Sequence, residues 1–169
     1  MYHDSEEQLY ALLRKNELNY HIHHHDPVFT VDEGKHLSLT IAGAHSKNLF
    51  LKDKKGDFFL VSVTEDKRVD LKQLSKELGK GGLSFGTSDN LEENLHLTPG
   101  SVTPFGLIHE DAKNVKFVLD HDFMKYDYVN FHPLRNDKTI QMPRNDFLRF
   151  FEIIRHLPDI RMIPVITAI

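Results

Sequence analysis

Residues 46–64 have the sequence SKNLFLKDKKGDFFLVSVT, and this stretch predicts a β-hairpin. Two runs rich in Leu, Phe and Val, Ser46–Lys52 and Asp57–Thr64, flank the polar stretch Asp53–Gly56. Aromatic and β-branched residues favour strands, and Gly56 suits a turn position with positive φ. The hairpin therefore has good support from its local sequence alone.

Apolar spacing and capping residues predict helices on both sides of the hairpin. The predicted helices are Ser5–Lys15, a short helix from Val31, a helix capped by Asp70 and ending near Gly79, Ser88–Leu95, and a last helix capped by Asn145 with Phe147, Phe150, Phe151 and Ile154 on its apolar face. Further predicted strands are Tyr20–His25, Leu83–Phe85, Val115–Asp120, Tyr128–Phe131, Thr139–Gln141 and an edge strand within Ile160–Ile169. Strands and helices do not alternate regularly, which favours an α+β fold with a mixed sheet around one or two helices over a doubly wound parallel sheet.

The composition is that of one globular domain covering residues 1–169, with 40% hydrophobic and 27% charged residues. No apolar run approaches the ~20 residues that cross a bilayer, so no membrane partner is expected. The first ten residues are acidic and polar rather than a secretory signal, and we expect a cytoplasmic protein. The absence of Cys excludes a disulfide scaffold, a thiolate metal site and a Cys nucleophile.

The net charge of -4 argues against a protein that coats nucleic acid through a broad basic face. The charge is uneven, however, because the stretch from Lys47 to Lys80 holds nine Lys/Arg and six Asp/Glu. That stretch could form a local basic patch for a short piece of nucleic acid. A solvated hairpin and helix of mixed charge is an equally good interpretation.

Histidine is abundant, with 12 residues, and His21, His23 and His25 would share one face of a strand. Three imidazoles on one face could bind zinc or nickel. On a flat strand, however, alternate residues lie roughly 6.5–7 Å apart, so one tetrahedral ion cannot easily reach all three. Surface histidines without a native metal are the favoured interpretation, and no metal or other cofactor is predicted.

Three other stretches contain residues that could take part in chemistry. Strand alternation places Lys47 beside leucines, where a lysine needs an anionic ligand, a cavity or a route to solvent. The glycine- and proline-rich loop Gly100–Gly106 could present backbone N–H groups to a carbonyl oxygen, as an oxyanion hole does. His132, at a predicted strand end, could orient a water or a hydroxyl. Each also has an ordinary structural explanation: a snorkelling lysine, a tight turn and a structural histidine.

Taken in order, four motifs resemble those of a known family. The motifs are His25-x-Pro27-Val28-Phe29-Thr30-Val31-x-Glu33, Lys47-Asn48-Leu49-Phe50-Leu51, Gly100-x-x-x-Pro104-Phe105-Gly106 and His132-Pro133-Leu134-x-Asn136-x-x-Thr139. This set is similar to the free-standing aminoacyl-tRNA editing domains, the YbaK/ProX-like deacylases, which are related to the editing insertion of bacterial prolyl-tRNA synthetase. The resemblance implies an α+β domain whose curved mixed sheet forms a partly closed barrel with flanking helices.

The resemblance also implies a trans-editing hydrolase that removes a wrong amino acid from tRNA(Pro), with Ala-tRNA(Pro) as the expected substrate. The implied partners are the tRNA(Pro) acceptor end and prolyl-tRNA synthetase. Two alternatives stay open: a deacylase of Cys-tRNA(Pro) or Pro-tRNA, and a non-catalytic module that binds tRNA or a synthetase. A synthetase pocket built for proline rejects alanine weakly, because a missing methylene is worth only about 1–3 kcal/mol.

Carried onto this chain, the family motifs assign roles to individual residues. Lys47 would contact the 3′-terminal adenosine or its phosphate, and the Gly100 N–H would stabilise the developing oxyanion. His132 would shape the pocket or hold the attacking water. The residues expected to help bind the substrate are Asn48, Ser101, Thr30 and Pro104.

Overall fold

The computed structural model describes residues 2–27, 35–37 and 40–166. Helix α1 spans Tyr2–Lys15, α2 Leu71–Glu77, α3 Ser88–Leu95 and α4 Arg144–Ile153. Short 3₁₀ helices span Pro104–Ile108, Glu110–Ala112 and His121–Lys125. Thr30 and Val31, where a short helix is predicted, lie outside the described residues.

All the strands that the sequence predicts are present, with ends shifted by a few residues. They are β1 His21–His24, β2 Ala44–Lys52, β3 Phe58–Thr64, β4 Ser84–Phe85, β5 Lys116–Asp120, β6 Tyr128–Phe131, β7 Lys138–Pro143 and β8 Asp159–Arg161. The edge strand expected within Ile160–Ile169 is the short β8, which begins one residue earlier.

The strands form one mixed sheet in the order β1-β7-β6-β2-β3-β5-β8, and β4 pairs with β2. The β2–β6, β3–β5 and β5–β8 pairs are parallel, and the remaining pairs are antiparallel. This confirms the predicted α+β class and mixed sheet. The expected partial barrel closure is not confirmed, because the pairings found in the described residues form an open path from β1 to β8.

The predicted hairpin is confirmed as β2 and β3, paired from Ser46 opposite Thr64 to Lys52 opposite Phe58. Its turn is held by Asp53, whose Oδ1 accepts hydrogen bonds from the backbone N–H groups two and four residues later. Gly56 has φ 86°, the left-handed conformation that favours glycine. Interactions within the turn therefore explain how β2 and β3, the two central strands of the sheet, come to pair.

The other edge of β2 is open in its middle. It pairs with β6 only at Ala44 and His45, and with β4 only at Leu51 and Lys52. Between these two contacts, no strand of the described chain lies against residues 46–50 on that side. Residues 45–49 are accordingly half-buried, although β2 is central in the sheet. The sheet thus has a gap beside its own central strand.

Two apolar cores lie on opposite faces of the sheet. The first core packs α1, α3 and α4 against one face, and its fully buried members include Leu9, Leu13, Leu60, Leu95, Phe105, Phe123, Phe147, Phe150 and Phe151. The second core, under α2, contains Leu51, Phe59, Val61, Val63, Leu74 and Val118. Neighbouring residues of β3 point alternately into the two cores, as strand geometry requires.

Two helix ends test the capping predictions. Asp70 caps α2 as predicted, because its Oδ1 accepts a hydrogen bond of 3.0 Å from the Gln73 N–H. Asn145 is not the cap of α4, which is a correction. Strand β7 passes directly into the helix at Pro143, so that Asn145 already lies in the first turn.

In the described residues, no helix is long and apolar enough to cross a membrane.

Candidate functional site

Lys47 and His132 lie where two neighbouring strands separate. The parallel ladder between β2 and β6 ends at His45 and Asn130. Lys47 and His132 each follow the last paired residue by two positions, so strand alternation directs both side chains to the same face of the sheet. Phe131 lies in the first core, so strand alternation directs His132 to the opposite face. These two predicted site residues, 85 positions apart in the chain, are therefore brought to the same opening of the sheet.

The His132 ring has a defined tautomer. Its Nδ1 lies 3.0 Å from the carbonyl oxygen of Lys138, which can only accept a hydrogen bond. Nδ1 therefore carries the proton, and in the neutral ring Nε2 has a free lone pair. Burial lowers the pKa of His132, and the nearby His25 and His45 lower it further, against opposing effects of Lys138 and Asp137. The ring is thus neutral at pH 7 and able to accept a proton.

Two further histidines surround His132. The His25 ring centroid lies 6.4 Å from that of His132, and His25 Nε2 lies 2.8 Å from the Thr139 hydroxyl. Nε2 of His45 lies 2.8 Å from the carbonyl oxygen of Ile41. Sequence reasoning considered His25 only as a possible metal ligand and gave His45 and Thr139 no role. The one sequence signal was that His25 and Thr139 belong to the quoted motifs.

Lys47 has the environment that its strand position predicts. Its half-buried side chain donates a hydrogen bond to the carbonyl oxygen of Lys67, and among the described residues it forms no ion pair. Burial lowers the pKa of Lys47, while Asp66 raises it and Arg68 lowers it. A partly desolvated ammonium without a carboxylate partner is suited to bind an anionic group of a ligand.

Asn48 lies on the face opposite to Lys47 and is part of a chain of polar contacts. The Ser62 hydroxyl donates to Asn48 Oδ1 at 2.6 Å, and Asn48 Nδ2 donates to the Ser46 hydroxyl at 3.3 Å. The Ser46 hydroxyl in turn donates to the carbonyl oxygen of Asn130 at 2.9 Å. These hydrogen bonds connect β3, β2 and β6 at the end of the β2–β6 ladder.

The glycine- and proline-rich loop is anchored at both ends. Gly100 has φ 90°, a conformation that favours glycine, and the Ser101 N–H donates to the Thr98 carbonyl at 3.1 Å to close the turn. Pro104 is buried and begins a 3₁₀ helix. Phe105 then packs in the first core. Within the described part of the chain, no hydrogen-bond acceptor is recorded for the Gly100 N–H.

A cavity of about 180 Å³ lies between this loop and the loop that follows His132. It is lined by His96, Leu97, Thr98, Ser101, Leu134, Arg135, Asn136 and Asp137. The structure thus brings Ser101 together with the segment after His132. Lys47, Gly100, His132, Asn48 and Pro104 are not among the lining residues of this cavity, although Gly100 directly precedes one of them.

The loop 133–137 is held in an unusual conformation. Leu134 has φ 73°, which is rare for a residue other than glycine. The Arg135 guanidinium binds both oxygens of Asp137, at 2.8 and 2.6 Å. The buried carboxylate of Glu6 accepts hydrogen bonds of 2.6 Å from Lys138 and 2.8 Å from Tyr10. These contacts fix the cavity wall to the first helix.

The structure bears on the possible histidine metal site and on the possible basic patch. Within the described residues, no group of three or more His, Cys, Asp or Glu side chains is placed to hold a metal ion. The basic stretch Lys47–Lys80 is partly neutralised, because Lys67 forms ion pairs of 2.8 Å with both Asp120 and Asp122. Lys67 therefore stabilises the fold rather than a ligand.

The family of this sequence is shown by comparison. Residues 25–150 match the model of the aminoacyl-tRNA editing domain. The prolyl-tRNA editing protein ProX of Acetoanaerobium sticklandii is 34% identical over 144 residues, which cover 85% of this chain and 88% of that protein. The prolyl-tRNA synthetase associated domain-containing protein 1 of Xenopus laevis is 39% identical over 162 residues, covering 93% and 96%.

The fold is also found among solved structures. One of them, proposed to be a trans-editing enzyme for prolyl-tRNA synthetase, superposes with a TM-score of 0.72 at 19% identity. The superposition covers 95% of this chain and 96% of that chain. At this identity the likeness concerns the fold alone, and it agrees with the mixed α+β sheet described above.

Proposed function

This chain belongs to the aminoacyl-tRNA editing domain family and is an aminoacyl-tRNA deacylase, and from that premise we propose that it hydrolyses mischarged tRNA(Pro), with Ala-tRNA(Pro) as its preferred substrate. The observation that supports this site assignment is the end of the β2–β6 ladder at His45 and Asn130, two residues before Lys47 and His132. We propose that the tRNA acceptor end enters at this opening. The reaction would take place in the cytoplasm.

The proposed reaction uses water as the nucleophile. His132 Nε2 accepts a proton from the water as its oxygen attacks the acyl carbon of the ester. Negative charge then develops on the former carbonyl oxygen, where the Gly100 N–H would stabilise it. The ester C–O bond breaks, and the leaving ribose oxygen takes the proton back from the imidazolium. The products are the free amino acid and uncharged tRNA.

Lys47 has a binding role in this scheme. Its ammonium has no carboxylate partner in the described chain, and Lys47 lies on β2 just beyond the end of the β2–β6 ladder, as His132 does on β6. A phosphate or ribose oxygen of the terminal adenosine would supply the missing anionic or polar partner. Holding the ester close to the neutral imidazole converts an encounter in solution into a positioned reaction, which is a major source of catalysis.

Selection among amino acids is assigned to the cavity beside Ser101. With a volume of about 180 Å³ it is small, and Leu97 and Leu134 form its apolar walls. Such a cavity selects by excluding large side chains rather than by binding alanine tightly. This is the discrimination that a synthetase pocket built for proline does not supply.

The test is a deacylation panel with purified tRNA(Pro) charged separately with Ala, Ser, Cys and Pro. The proposal expects Ala-tRNA(Pro) to be hydrolysed with the highest kcat/KM, and a Lys47→Met variant of the same preparation serves as the matched control. If Cys-tRNA(Pro) or Pro-tRNA(Pro) were hydrolysed faster than Ala-tRNA(Pro), the faster substrate would be assigned to the protein instead. Tight tRNA binding without hydrolysis of any of the four would identify a binding module instead.

A further inference from the structure

Phe85 is a large aromatic residue that the fold leaves exposed. It is 62% exposed, although it belongs to a strand, β4, that pairs with the central strand of the sheet. The residue directly opposite it, Leu51, is completely buried in the second core. Paired residues of antiparallel strands point to the same face, so Phe85 lies on the face of Leu51 and Lys47. Core packing therefore does not explain its exposed ring.

The segment that carries Phe85 is rigid. The Gly86 N–H donates a hydrogen bond of 2.9 Å to the Phe50 carbonyl. A Cβ atom at position 86 would lie 2.6 Å from Phe50 Cδ2, so the backbone packs directly on that buried ring. Phe85 is therefore presented to solvent on a fixed support. An aromatic ring held in this way loses little conformational entropy when a ligand stacks on it.

One lysine lies beside the segment that carries this ring. The Lys54 side chain passes over Gly82, three residues before Phe85, whereas Lys52 pairs with Ser84 and therefore lies on the other face of the sheet. Neither lysine forms an ion pair within the described part of the chain. The neighbouring surface is thus suited to a ligand that combines phosphate charge with flat rings.

The two carboxylates of the same hairpin take part in other contacts. Asp53 Oδ1 accepts two backbone hydrogen bonds in the turn, whereas Asp53 Oδ2 is buried without a partner in the described residues. Asp57 lies 3.5 Å from Lys80. Neither carboxylate forms an ion pair with Lys54 in the described chain, so this lysine is available to an anionic ligand.

The open edge of β2 connects Phe85 with the proposed catalytic opening. Lys47 and Leu51, the partner of Phe85, are four residues apart on β2, or about 13 Å. No described strand covers residues 46–50 along this edge. Stacked nucleotides follow one another every ~3.4 Å and extended ones at larger intervals, so the unpaired 3′ end of a tRNA could span the distance.

We propose that Phe85 is a stacking site for an unpaired base of the tRNA 3′ end, with Lys54 contacting an adjacent phosphate. Base stacking on an aromatic ring tolerates any base, and the lysine adds a salt-dependent attraction. The site extends substrate binding along the open edge of β2, beyond the terminal adenosine that Lys47 contacts. The proposal rests on the proposed function for the identity of the RNA.

The experiment measures binding of two uncharged RNA hairpins by fluorescence anisotropy. One has the acceptor stem with its CCA end, and the other lacks the three unpaired nucleotides. Phe85→Ala and Phe85→Leu should each weaken binding of the CCA-ended hairpin about tenfold and leave binding of the truncated hairpin unchanged. Phe85→Tyr, which keeps the ring, should bind both hairpins like the wild type.

Two controls make the test specific. Leu157→Ala removes a side chain that is 69% exposed elsewhere on the surface, and it should not change binding of either hairpin. Lys54→Ala should weaken binding of the CCA-ended hairpin and reduce the slope of log affinity against log salt. Thermal unfolding of every variant checks that the fold is intact.

The proposal is overturned if Phe85→Leu binds the CCA-ended hairpin as well as the wild type does. It is also overturned if loss of the ring weakens binding of both hairpins equally. Because the hairpins carry no amino acid, these results do not depend on hydrolysis. The wild-type protein could prefer the CCA-ended hairpin through Phe85 and yet deacylate none of the four charged tRNAs. That result would refute the proposed function and leave the stacking proposal standing.

Discussion

Glu6 Oε1 and Lys138 Nζ lie 2.6 Å apart in an ion pair that joins the first helix to β7, with Glu6 buried and Lys138 partly buried. The carbonyl oxygen of Lys138 is also the partner of His132 Nδ1. Lys138 therefore contacts both the first helix and the proposed catalytic imidazole.

Glu6→Gln should lower the free energy of unfolding by about 1–3 kcal/mol, because it leaves the partly buried Lys138 ammonium without this carboxylate. Burial alone would raise the pKa of Glu6, but hydrogen bonds from Lys138 and Tyr10 lower it overall. The carboxylate therefore stabilises the fold above the unfolded-state pKa, and this stability is lost as pH falls through the lower folded-state value. Urea unfolding from about pH 7 to pH 3 measures the effect.

Glu7→Gln is the matched control, since its side chain is exposed one position further along α1. It should change stability by less than about 0.5 kcal/mol. If Glu6→Gln were as stable as the wild type at pH 7, the ion pair would not anchor the helix.

His132→Ala should lower kcat for deacylation about 10²- to 10⁴-fold, which is the usual worth of a general base. His121→Ala, at an exposed position in a 3₁₀ helix, should retain full activity. Equal activity of the two variants would remove His132 from the mechanism.

The pH profile supplies a second measurement on His132. Its folded-state pKa is lowered, mainly by burial, so the neutral base persists below the ordinary value of 6.5. The charged or titratable groups that affect it are His25, His45 and Asp137. We expect the decline of kcat/KM with falling pH to be centred below pH 6.5. A decline centred above pH 6.5 would contradict this assignment.

Lys47→Met should lower kcat/KM for Ala-tRNA(Pro) about 10- to 100-fold, because a hydrogen bond from a charged group is worth about 1.5–3 kcal/mol. Stability should change little or increase, since the variant removes a partly buried charge without an ion pair in the described chain. Steady-state deacylation kinetics and thermal unfolding measure the two effects. Lys72→Met, at an exposed position on α2, should leave both unchanged.

Leu134→Ala should widen the range of amino acids that are removed. Leu134 is 7% exposed and forms one wall of the cavity. The larger cavity should raise the rate for bulkier aminoacyl groups relative to alanine about tenfold, as expected for a change of one or two methylenes. The deacylation panel extended to Val- and Leu-charged tRNA(Pro) measures this ratio.

Leu91→Ala controls for general loosening of the fold. Leu91 is buried in the first core on α3 and does not line the cavity. Both substitutions should cost about 2–5 kcal/mol of stability, but only the one at position 134 should change selectivity. The same shift in both variants would mean that the cavity is not the selective pocket.

The elements that the sequence predicted well depend on local chemistry. The hairpin turn at Asp53 and Gly56 and the cap at Asp70 involve residues within four positions of each other, so their patterns are visible in the sequence. The cap assigned to Asn145 was wrong because β7 passes straight into α4 at Pro143. A local pattern does not indicate where a preceding strand ends.

The contacts that the sequence did not reveal join distant segments. The approach of His25 to His132 depends on β1, β7 and β6 lying side by side, and Lys67 meets Asp120 across 53 positions of the chain. Likewise, the gap beside residues 46–50 exists only because β6 and β4 stop short of each other on β2. The motif spacing placed Lys47 in the site, but the shape of the opening required the whole sheet.

The sheet also separates two hydrophobic cores, one on each of its faces. Leu60 faces the aromatic core under α4, while its neighbour Val61 faces the smaller aliphatic core under α2. Side chains on opposite sides of a sheet share few contacts, so the stability effects of substitutions on the two sides should add. As related sequences evolve, residues of the core under α2 can therefore change without compensating substitutions among the phenylalanines of the core under α4. Substitutions in one core should leave the packing of the other core unchanged.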